Sequence, residues 1–267
     1  MELEHQLVPR LKQLRLSGML ATLETRTQQA ITGQWRYIEY LERLLEDEVE
    51  RRTQKQLALR VRRASVNSGK TLEGFDWSFN PMVNRQQVLQ LASGEYIRRK
   101  RNVLLCGPTG VGKSHLAQAL GHEACRQGYE VLFVDTHKML QHLHGGRADG
   151  TLEKRLTSYL RPDVLILDDF GLRPVRPPGA EDLYDVINGR YEVGSIVVTS
   201  NRAPAEWVEL FGDPLLASAG LDRLGDRAEV VIIRGQSFRA QGPGRLTSSP
   251  AAVVGEGLSQ EEVEHAA

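Results

Sequence analysis

The segment NVLLCGPTGVGKSHLAQALGHEACRQ, residues 102–127, decides the fold of this chain. It begins with an apolar run typical of a buried strand, passes through a glycine-rich turn and continues with helical spacing. The turn, residues 107–114, matches the phosphate-loop pattern G-x(4)-G-K-[ST] at every position. Because this turn leaves a strand and opens a helix, the context favours a phosphate loop over a glycine-rich turn with an accidental lysine.

The residue types of this loop suit the binding of a nucleotide. Its glycines let successive backbone N–H groups point at phosphates, and the helix that follows adds the positive end of its dipole. We expect Lys113 to reach the β- and γ-phosphates of ATP and the Ser114 hydroxyl to ligate Mg²⁺. The residues predicted to bind the nucleotide are Gly107, Pro108, Thr109, Gly110, Val111, Gly112, Lys113, Ser114 and His115.

Short apolar runs alternate with helical stretches from residue 101 onward. The runs occupy residues 102–107, 129–135, 162–170, 195–201 and 228–235. Near-continuous runs of Val, Ile and Leu are typical of parallel strands that helices cover on both faces. The sequence therefore predicts an α/β fold, with a three-layer domain over residues 101–240.

Two carboxylates end the third of these runs, VLILDDF, residues 164–170. Ligands of open α/β sheets bind at the carboxyl ends of the strands. We therefore expect Asp168 to hold Mg²⁺ through its water shell and Asp169 to polarise the attacking water. A solvated acidic turn is the alternative, which the phosphate loop disfavours.

Two further regions offer groups for a phosphoryl-transfer reaction. Asn201 ends the run SIVVTSN, and an amide at a strand tip can orient water, although Ser-Asn is also ordinary turn chemistry. An arginine can neutralise the charge on a transferred phosphoryl group, although each one taken singly is equally a surface residue. The candidate arginines are Arg223, Arg227, Arg234 and Arg239.

Three other regions flank the predicted α/β domain. Residues 1–70 have leucines at helical spacing and a long stretch without Gly or Pro, which predicts a small all-helical domain for DNA binding and assembly. Residues 71–100 combine Ser, Asn, Gly and Pro with Phe75, Trp77 and Phe79, and we expect them to link and dock the two parts. Large apolar residues are scarce in residues 241–267, which are predicted to be a disordered tail.

The chain has 34 basic and 34 acidic residues, so the distribution of charge is more informative than its sum. Residues 51–63 hold six basic residues and no acidic one. On a helix they would present a positive face for sequence-independent contact with duplex DNA, whereas a solvated helix end paired with residues 46–50 is the alternative. The predicted DNA-binding residues are Arg51, Arg52, Lys55, Arg60, Arg62 and Arg63.

Composition excludes several other classes of protein. Hydrophobic residues make up 40 % and charged residues 25 % of the chain, which is ordinary for a globular protein. No apolar run approaches the ~18–20 residues of a membrane span, and the first residues lack the pattern of a secretory signal. Two cysteines cannot form a disulfide framework, and no Cys/His spacing fits zinc. We therefore expect a cytoplasmic protein.

The motifs GPTGVGKS, VLILDDFG, VVTSN and LDRL…RGQSFR, in this order, resemble the AAA+ ATPases of the initiator and helicase-loader group. The resemblance is closer still to the IstB-like transposition helper proteins of bacterial insertion sequences and covers about residues 5–240. It implies a five-stranded parallel sheet of order 5-1-4-3-2, with Arg223 as an arginine finger across a subunit interface and Arg239 as the second sensor. It also implies DNA contacts after the second strand, from Lys138, Arg147, Lys154 and Arg155.

The resemblance further implies an ATP-dependent oligomer, a ring or a helical filament, that selects target DNA and activates an IstA-like transposase. A helicase loader related to DnaC is the alternative within this class, and a nucleotide-gated binding module with incidental turnover is the alternative outside it. The chain departs from the wider AAA+ pattern at Asp169, where Glu is usual. Because residues 236–267 are all that follow the fifth run, we expect the helical lid to be missing or rudimentary.

Overall fold

The computed structural model describes residues 2–211, 213–235 and 237–238 of the chain. Arg239 and the predicted tail, residues 241–267, lie outside the described residues. The described part comprises a set of N-terminal helices followed by a layered α/β domain. No helix within it is long and apolar enough to cross a membrane.

The N-terminal helices are α1 (Glu2–Gln13), α2 (Ser17–Gly33) and α3 (Tyr37–Arg63). Their common core is small, with Leu11, Met19 and Leu44 buried where the helices meet. Leu45 and Val49, on the same helix as Leu44, face solvent instead. The apolar spacing of α3 thus predicts a helix correctly, but α1 and α2 cover a narrow part of its surface.

One buried carboxylate of α3 caps the beginning of α2. Oε2 of Glu48 accepts hydrogen bonds from the N–H groups of Gly18 (2.5 Å) and Met19 (3.3 Å). These are N–H groups that the first turn of a helix leaves unpaired, and a negative charge is favourable at that end of the helix dipole. Leu16 precedes α2 and cannot supply such a cap, so the cap comes from a distant helix.

The far end of α3 joins the α/β domain. Val61 and Ala64 are buried in the core of that domain, and the carbonyl oxygen of Ala64 accepts a hydrogen bond from the N–H of Phe133 (2.8 Å). Between the two docked ends, residues 49–56 of α3 are exposed on all sides. The helix therefore bridges the N-terminal helices and the edge of the sheet.

Residues 71–100 fold against the α/β domain and include α4 (Arg85–Ala92) and α5 (Glu95–Arg98). Phe75, Val88 and Ile97 are buried in the core that also contains Val103 and Leu105 of the first strand. The segment that we predicted to link and dock the two parts thus packs under one face of the sheet.

The sheet has five parallel strands, β1 (Val103–Cys106), β2 (Val131–Asp135), β3 (Val164–Phe170), β4 (Ser195–Ser200) and β5 (Glu229–Ile232). Their order is β2-β3-β4-β1-β5, which confirms the predicted order 5-1-4-3-2. The connecting helices are α6 (Lys113–Arg126), α7 (Thr136–Asp149), α8 (Leu152–Leu160), α9 (Gly179–Arg190), α10 (Val208–Phe211) and α11 (Pro214–Gly225).

Successive strand residues enter two separate cores. Leu105 and Ile166 belong to the core beneath α6, and Leu104 and Leu165 belong to the core beneath α7 and α9. This alternation follows from the strand geometry, in which neighbouring side chains point to opposite faces. The predicted three-layer α/β architecture, preceded by helices, is confirmed.

Candidate nucleotide-binding site

The phosphate loop joins the end of β1 to the beginning of α6. Gly110 and Gly112 have φ angles of 83° and 102°, in the left-handed region that favours glycine. A Cβ at Gly112 would lie 2.8 Å from the ring of Phe75, so a larger residue lacks room there. Gly112 is also the N-cap residue of α6, and it carries no side chain that could occupy the first N–H groups of the helix. Those N–H groups can therefore bind an anion.

Lys113 lies within this loop and is 7 % exposed. Its Nζ donates hydrogen bonds to the carbonyl oxygens of Gly107 (2.7 Å) and Pro108 (2.6 Å). Ser114 follows in the first turn of α6 and is half-buried. The structure thus gathers the predicted residues 107–114 around one turn, with the ammonium group inside it.

His115, the last residue predicted to bind the nucleotide, directs its side chain to the linker. Its Nε2 lies 2.9 Å from the carbonyl oxygen of Thr71, and its ring packs edge-to-face against Phe75 with 5.2 Å between ring centroids. Burial lowers the pKa of His115, although the hydrogen bond with Thr71 opposes this effect. The side chain thus holds the linker against α6.

β3 carries the two predicted carboxylates in a β-bulge. Its pairing with β4 is regular through Leu167 and resumes at Phe170, so Asp168 and Asp169 together oppose the single residue Thr199. Asp169 has a φ of 53°, which is uncommon for a residue other than glycine. Asp168 is half-buried and Asp169 is exposed. A bulge next to a functional site re-aims side chains, and here it separates the environments of two adjacent carboxylates.

Thr199 contacts both residues of this bulge and was missed in the sequence analysis. Its hydroxyl donates a hydrogen bond to Oδ1 of Asp168 (2.5 Å) and accepts one from the N–H of Asp169 (3.0 Å). Thr199 is fully buried. The signal in the sequence was a threonine inside an otherwise apolar run, but its partner is a bulge in another strand that the sequence pattern does not reveal.

The tip of β4 connects the acidic strand with the phosphate loop. The hydroxyl of Ser200 donates to the carbonyl oxygen of Phe170 (2.8 Å) and accepts from Nε1 of Trp207 (3.1 Å). The carbonyl oxygen of Ser200 accepts from the N–H of Gly107 (3.1 Å). Asn201 follows at the same edge of the sheet and is exposed. The structure therefore places Asn201 between the predicted phosphate site and the predicted carboxylates.

The oxygen donors at this edge fit a magnesium–nucleotide complex. Ser114 offers a hydroxyl and Asp168 a carboxylate, which are the hard ligands that Mg²⁺ prefers. In sites of this kind the protein supplies one or two ligands, and phosphates and water supply the others. The uncapped N-terminus of α6 supplies the N–H donors that the phosphates require.

Arg223 lies at the amino ends of the strands, which we call the amino edge of the sheet; the carboxyl ends of the strands, where the phosphate loop lies, form the carboxyl edge. Asn102, which precedes β1, donates from Nδ2 to the carbonyl oxygens of Arg223 (3.4 Å) and Leu224 (3.0 Å). The phosphate loop begins where β1 ends, at the other end of the strand. The guanidinium of Arg223 donates to the carbonyl oxygen of Ala219 (2.8 Å) and lies over the ring of Tyr184, 5.6 Å from its centroid. The fold thus separates Arg223 from the phosphate loop of its own chain.

A cavity of about 180 Å³ borders Arg223 at this amino edge. Its basic lining residues are Arg99, Lys100, Arg101, Arg190, Arg223 and Arg227. Arg227 and Arg234, the alternative arginines, are exposed, and Arg239, the predicted second sensor, lies outside the described residues. Glu192 and Asp226 also line the cavity, so basic side chains outnumber acidic ones at the amino ends of the strands, whereas the end of β3 presents two carboxylates.

The basic half of α3 faces solvent almost entirely. Of the predicted DNA-binding residues there, Arg60 is half-buried and the others are exposed. Nε of Arg52 forms an ion pair with Glu48 at 2.6 Å. The alternative of a helix end that pairs with its own acidic half thus applies to Arg52. Arg51 and Lys55 are exposed between the docked parts of the helix, and Arg62 and Arg63 are exposed at the end that joins the α/β domain.

The second predicted set of DNA contacts divides into two pairs. Arg147 donates to Oδ1 of the buried Asp182 (2.6 Å), and Arg155 donates to the carboxylate of Asp149 (2.5 Å). These two arginines hold α7, α8 and α9 together through ion pairs. Lys138 and Lys154 are exposed, as is Arg147 despite its ion pair with Asp182.

The phosphate loop after β1, the carboxylates at the end of β3 and the strand order β2-β3-β4-β1-β5 define an AAA+-like P-loop fold with added N-terminal helices. The family model described as IstB-like ATP binding protein matches residues 9–244. The chain belongs to this family.

Related chains resemble this one over most of their length. It is 42 % identical over 240 residues to Rv3427c of Mycobacterium tuberculosis, named as an ATP-binding protein in an insertion sequence, and the match covers 89 % of this chain and 96 % of that protein. It is 37 % identical over 235 residues to the protein named for ATP binding in insertion sequence IS21 of Pseudomonas aeruginosa, with 88 % and 89 % covered.

Solved structures show the same fold at lower identity. The replication initiator DnaA bound to AMPPCP and single-stranded DNA aligns with a TM-score of 0.54 and 23 % identity, over 64 % of this chain and 51 % of that chain. DnaI aligns with a TM-score of 0.53 and 21 % identity, over 61 % and 90 %. At this level of identity the likeness concerns the fold.

Proposed function

We propose that this chain is a Mg²⁺-dependent ATPase that assembles on duplex DNA and assists a transposase in the transposition of an insertion sequence. The observation that carries the proposal is the separation of functional groups to opposite edges of one sheet. The phosphate loop and Asp169 lie at the carboxyl edge, and Arg223 lies at the amino edge. If the amino edge of one copy faced the carboxyl edge of a second copy, Arg223 of the first would lie beside the nucleotide of the second.

Within one copy, the residues of the carboxyl edge have distinct roles. Lys113 exchanges the carbonyl oxygens of Gly107 and Pro108 for phosphate oxygens, which form stronger charge-assisted hydrogen bonds. Ser114 would ligate Mg²⁺ and Asp168 would hold it through its water shell, and the ion would offset the negative charge of the phosphates. Asp169 is the exposed carboxylate, so it can orient and deprotonate the attacking water. Asn201 holds the same water from the tip of β4.

Arg223 completes the site from a neighbouring copy. Its guanidinium would stabilise the charge that develops on the transferred phosphoryl group, as trans arginines do in related chemistry. The contacts with Ala219 and Tyr184 orient the side chain before assembly. Turnover then depends on assembly, because the arginine and the nucleotide belong to different chains.

DNA promotes this assembly through contacts with its phosphate backbone. The exposed residues Arg51, Lys55, Arg62 and Arg63 of α3 supply positive charge along one bridging helix, and Lys138 and Lys154 supply it from α7 and α8. Backbone contacts are independent of sequence and sensitive to salt. A helper that samples many target sites needs this kind of binding.

The role in transposition rests on the family and on its relatives, which are named as proteins of insertion sequences. A helicase loader would share the fold and would bind a replicative helicase in place of a transposase. Binding of the purified chain to its cognate transposase, with a replicative helicase as the control, distinguishes the two roles. Preferential binding of the helicase would contradict the proposal.

Steady-state release of phosphate with and without duplex DNA tests the ATPase itself. We expect stimulation by DNA, and electron microscopy with DNA and a non-hydrolysable ATP analogue should show ordered oligomers. Asp169→Asn is the control for chemistry, because it keeps the shape of the side chain and removes the base. Equal turnover in Asp169→Asn and wild type would contradict the role of Asp169. Assembly without turnover would indicate a nucleotide-gated binding module.

A further inference from the structure

Thr199 makes a contact that distinguishes it from the other hydroxyl residues near the acidic strand. It is fully buried on β4, opposite the bulge of Asp168 and Asp169. Thr136, at the start of α7, donates to the backbone carbonyl oxygen of Asp168 (2.9 Å). Ser200 likewise donates to a backbone carbonyl. Thr199 differs because its hydroxyl donates to the carboxylate of Asp168.

The bulge determines the direction in which this hydroxyl donates. A hydroxyl has one proton and two acceptor lone pairs. The N–H of Asp169 falls in the bulge and donates to Oγ1 of Thr199 at 3.0 Å, in place of a ladder carbonyl. The single proton of the hydroxyl is therefore available for Oδ1 of Asp168, 2.5 Å away. The backbone thus orients the hydroxyl, and the hydroxyl orients the carboxylate.

We propose that Thr199 is a positioning residue that sets the orientation of the Asp168 carboxylate for the magnesium–nucleotide complex. This inference rests on the proposed function, because it concerns Asp168 as a holder of Mg²⁺. Hydrogen bonds to an ionised acceptor are stronger than those between neutral groups, and a buried donor does not exchange freely with water. Loss of the hydroxyl would let the carboxylate adopt other rotamers and would weaken the binding of Mg²⁺ with nucleotide.

The test compares Thr199→Val, which removes the hydroxyl and keeps the branched shape, with Thr199→Ser, which keeps the hydroxyl. The readout is the Mg²⁺ concentration that gives half-maximal binding of a fluorescent non-hydrolysable ATP analogue to the full chain. We expect Thr199→Val to raise this concentration about tenfold, the effect of removing one hydrogen bond to a charged group. Thr199→Ser should stay within about twofold of wild type, since its hydroxyl can make the same bond.

Thr136→Val is the matched control. It also removes a buried hydroxyl bonded to Asp168, but that bond goes to the backbone and leaves the carboxylate untouched. Both valine variants should lower the melting temperature, whereas Thr199→Val alone should shift the Mg²⁺ response. Equal shifts in the two variants would show a merely structural role and would overturn the proposal.

A second comparison asks whether Thr199 acts through Asp168. In an Asp168→Asn background, Thr199→Val should add no further shift in the Mg²⁺ response, and a further shift of the same size would overturn the proposal.

If Thr199→Val does not fold, Thr199→Ala takes its place in both comparisons. A wild-type chain without Mg²⁺-dependent binding of the analogue contradicts the proposed function itself. A Mg²⁺ response that is the same in wild type and Thr199→Val overturns the role of Thr199 alone.

Discussion

The carboxyl edge of the sheet and the N-terminal helices differ in how far their side chains are buried. At the carboxyl edge, Thr199 and Ser200 are fully buried and hydrogen-bond to the neighbouring strand. On α3, Ile38 and Val49 are 78 % and 63 % exposed, and the basic half of the helix faces solvent. Chemistry requires reacting groups in one fixed geometry, whereas contact with a DNA backbone requires accessible charge. The two regions are therefore suited to different tasks.

This difference predicts effects that can be separated by mutation. Substitutions at the carboxyl or amino edge of the sheet should change nucleotide binding or turnover and leave the affinity of a single chain for DNA unchanged. Substitutions on α3 should change DNA affinity or stability and leave the nucleotide site intact. A change on α3 that abolished nucleotide binding to the isolated chain would contradict the division.

Arg223→Ala should have the largest effect. We expect DNA-stimulated hydrolysis to fall about 10³-fold or more, because trans arginines contribute ~10³–10⁵ to the rate. The phosphate loop of the variant is intact, so titration with a fluorescent nucleotide should give the wild-type affinity. Arg227→Ala, which removes an exposed arginine from the same cavity rim, is the matched control and should remain active.

A mixture of variants then shows whether the site is shared. Arg223→Ala subunits keep the loop, and Asp169→Asn subunits keep the arginine, so mixed oligomers contain some complete sites. Phosphate release from the mixture should exceed the sum of the two variants measured alone. Full activity of Arg223→Ala by itself would remove this arginine from the mechanism.

Lys113→Ala should weaken nucleotide binding by about 10–100-fold, because a hydrogen bond to a charged group contributes roughly 1.5–3 kcal/mol. Nucleotide-dependent assembly should disappear with it. The measurement is titration with a fluorescent nucleotide, and Lys12→Ala on the exposed surface of α1 serves as the control. Wild-type affinity in Lys113→Ala would show that the ammonium does not contact the phosphates.

Replacing Arg60, Arg62 and Arg63 with Ala should weaken binding to unrelated duplexes to a similar extent. The slope of log K against log salt should become shallower by about 0.9 for each phosphate that the protein no longer neutralises. Fluorescence anisotropy at several salt concentrations measures both quantities. A control that replaces Arg98, Arg99 and Arg161, which are exposed and paired with carboxylates on other surfaces, should keep the wild-type slope.

The smallest expected effect concerns the stability of the N-terminal helices in acid. Nε and Nη2 of Arg26 donate to the two carboxylate oxygens of Asp47 (2.9 and 2.7 Å), and these hydrogen bonds lower the pKa of Asp47 from 3.8 to about 2. A lowered pKa means that the contribution to stability is complete above about pH 4 and is lost as the pH falls toward 2.

Thermal unfolding of Asp47→Asn beside wild type isolates this contribution. The melting temperature of the helical signal should be higher in wild type near pH 5, and the difference should close as the pH is lowered from about 4 to 2. A difference that stays constant across this range would show that the ion pair is not its cause.

Local patterns in the sequence were sufficient to predict most of the framework. The run at residues 164–170 coincides with β3, and the phosphate loop begins where β1 ends. Both features could be predicted because a buried strand and a glycine-rich turn are each encoded by residues that are adjacent in the sequence. The strand order came from the resemblance to a family. Parallel strands share a carboxyl edge, so the convergence of Asp168, Asn201 and the phosphate loop followed from that order.

Local sequence patterns could not predict the interactions between distant segments. The bond between Thr199 and Asp168 depends on a bulge, and a one-residue change of register would direct the hydroxyl elsewhere. The family resemblance implied that Arg147 contacts DNA, but its position beside the buried Asp182 is a property of packing between α7 and α9. The helical spacing of the leucines in residues 1–70 likewise did not show which of them would be covered, since Leu44 is buried and its neighbour Leu45 is exposed.

The bridging helix α3 also has a mechanical consequence. It is a continuous helix of 27 residues that contacts α2 through Glu48, near its middle, and is anchored at its C-terminal end by the hydrogen bond between Ala64 and the edge strand β2. At 1.5 Å per residue it forms a stiff rod of ~40 Å. A tilt of about 5° at the sheet would sweep the far tip of such a rod through roughly 3.5 Å. A small tilt at the edge strand would thus displace the N-terminal helices by enough to change their contacts with a bound partner.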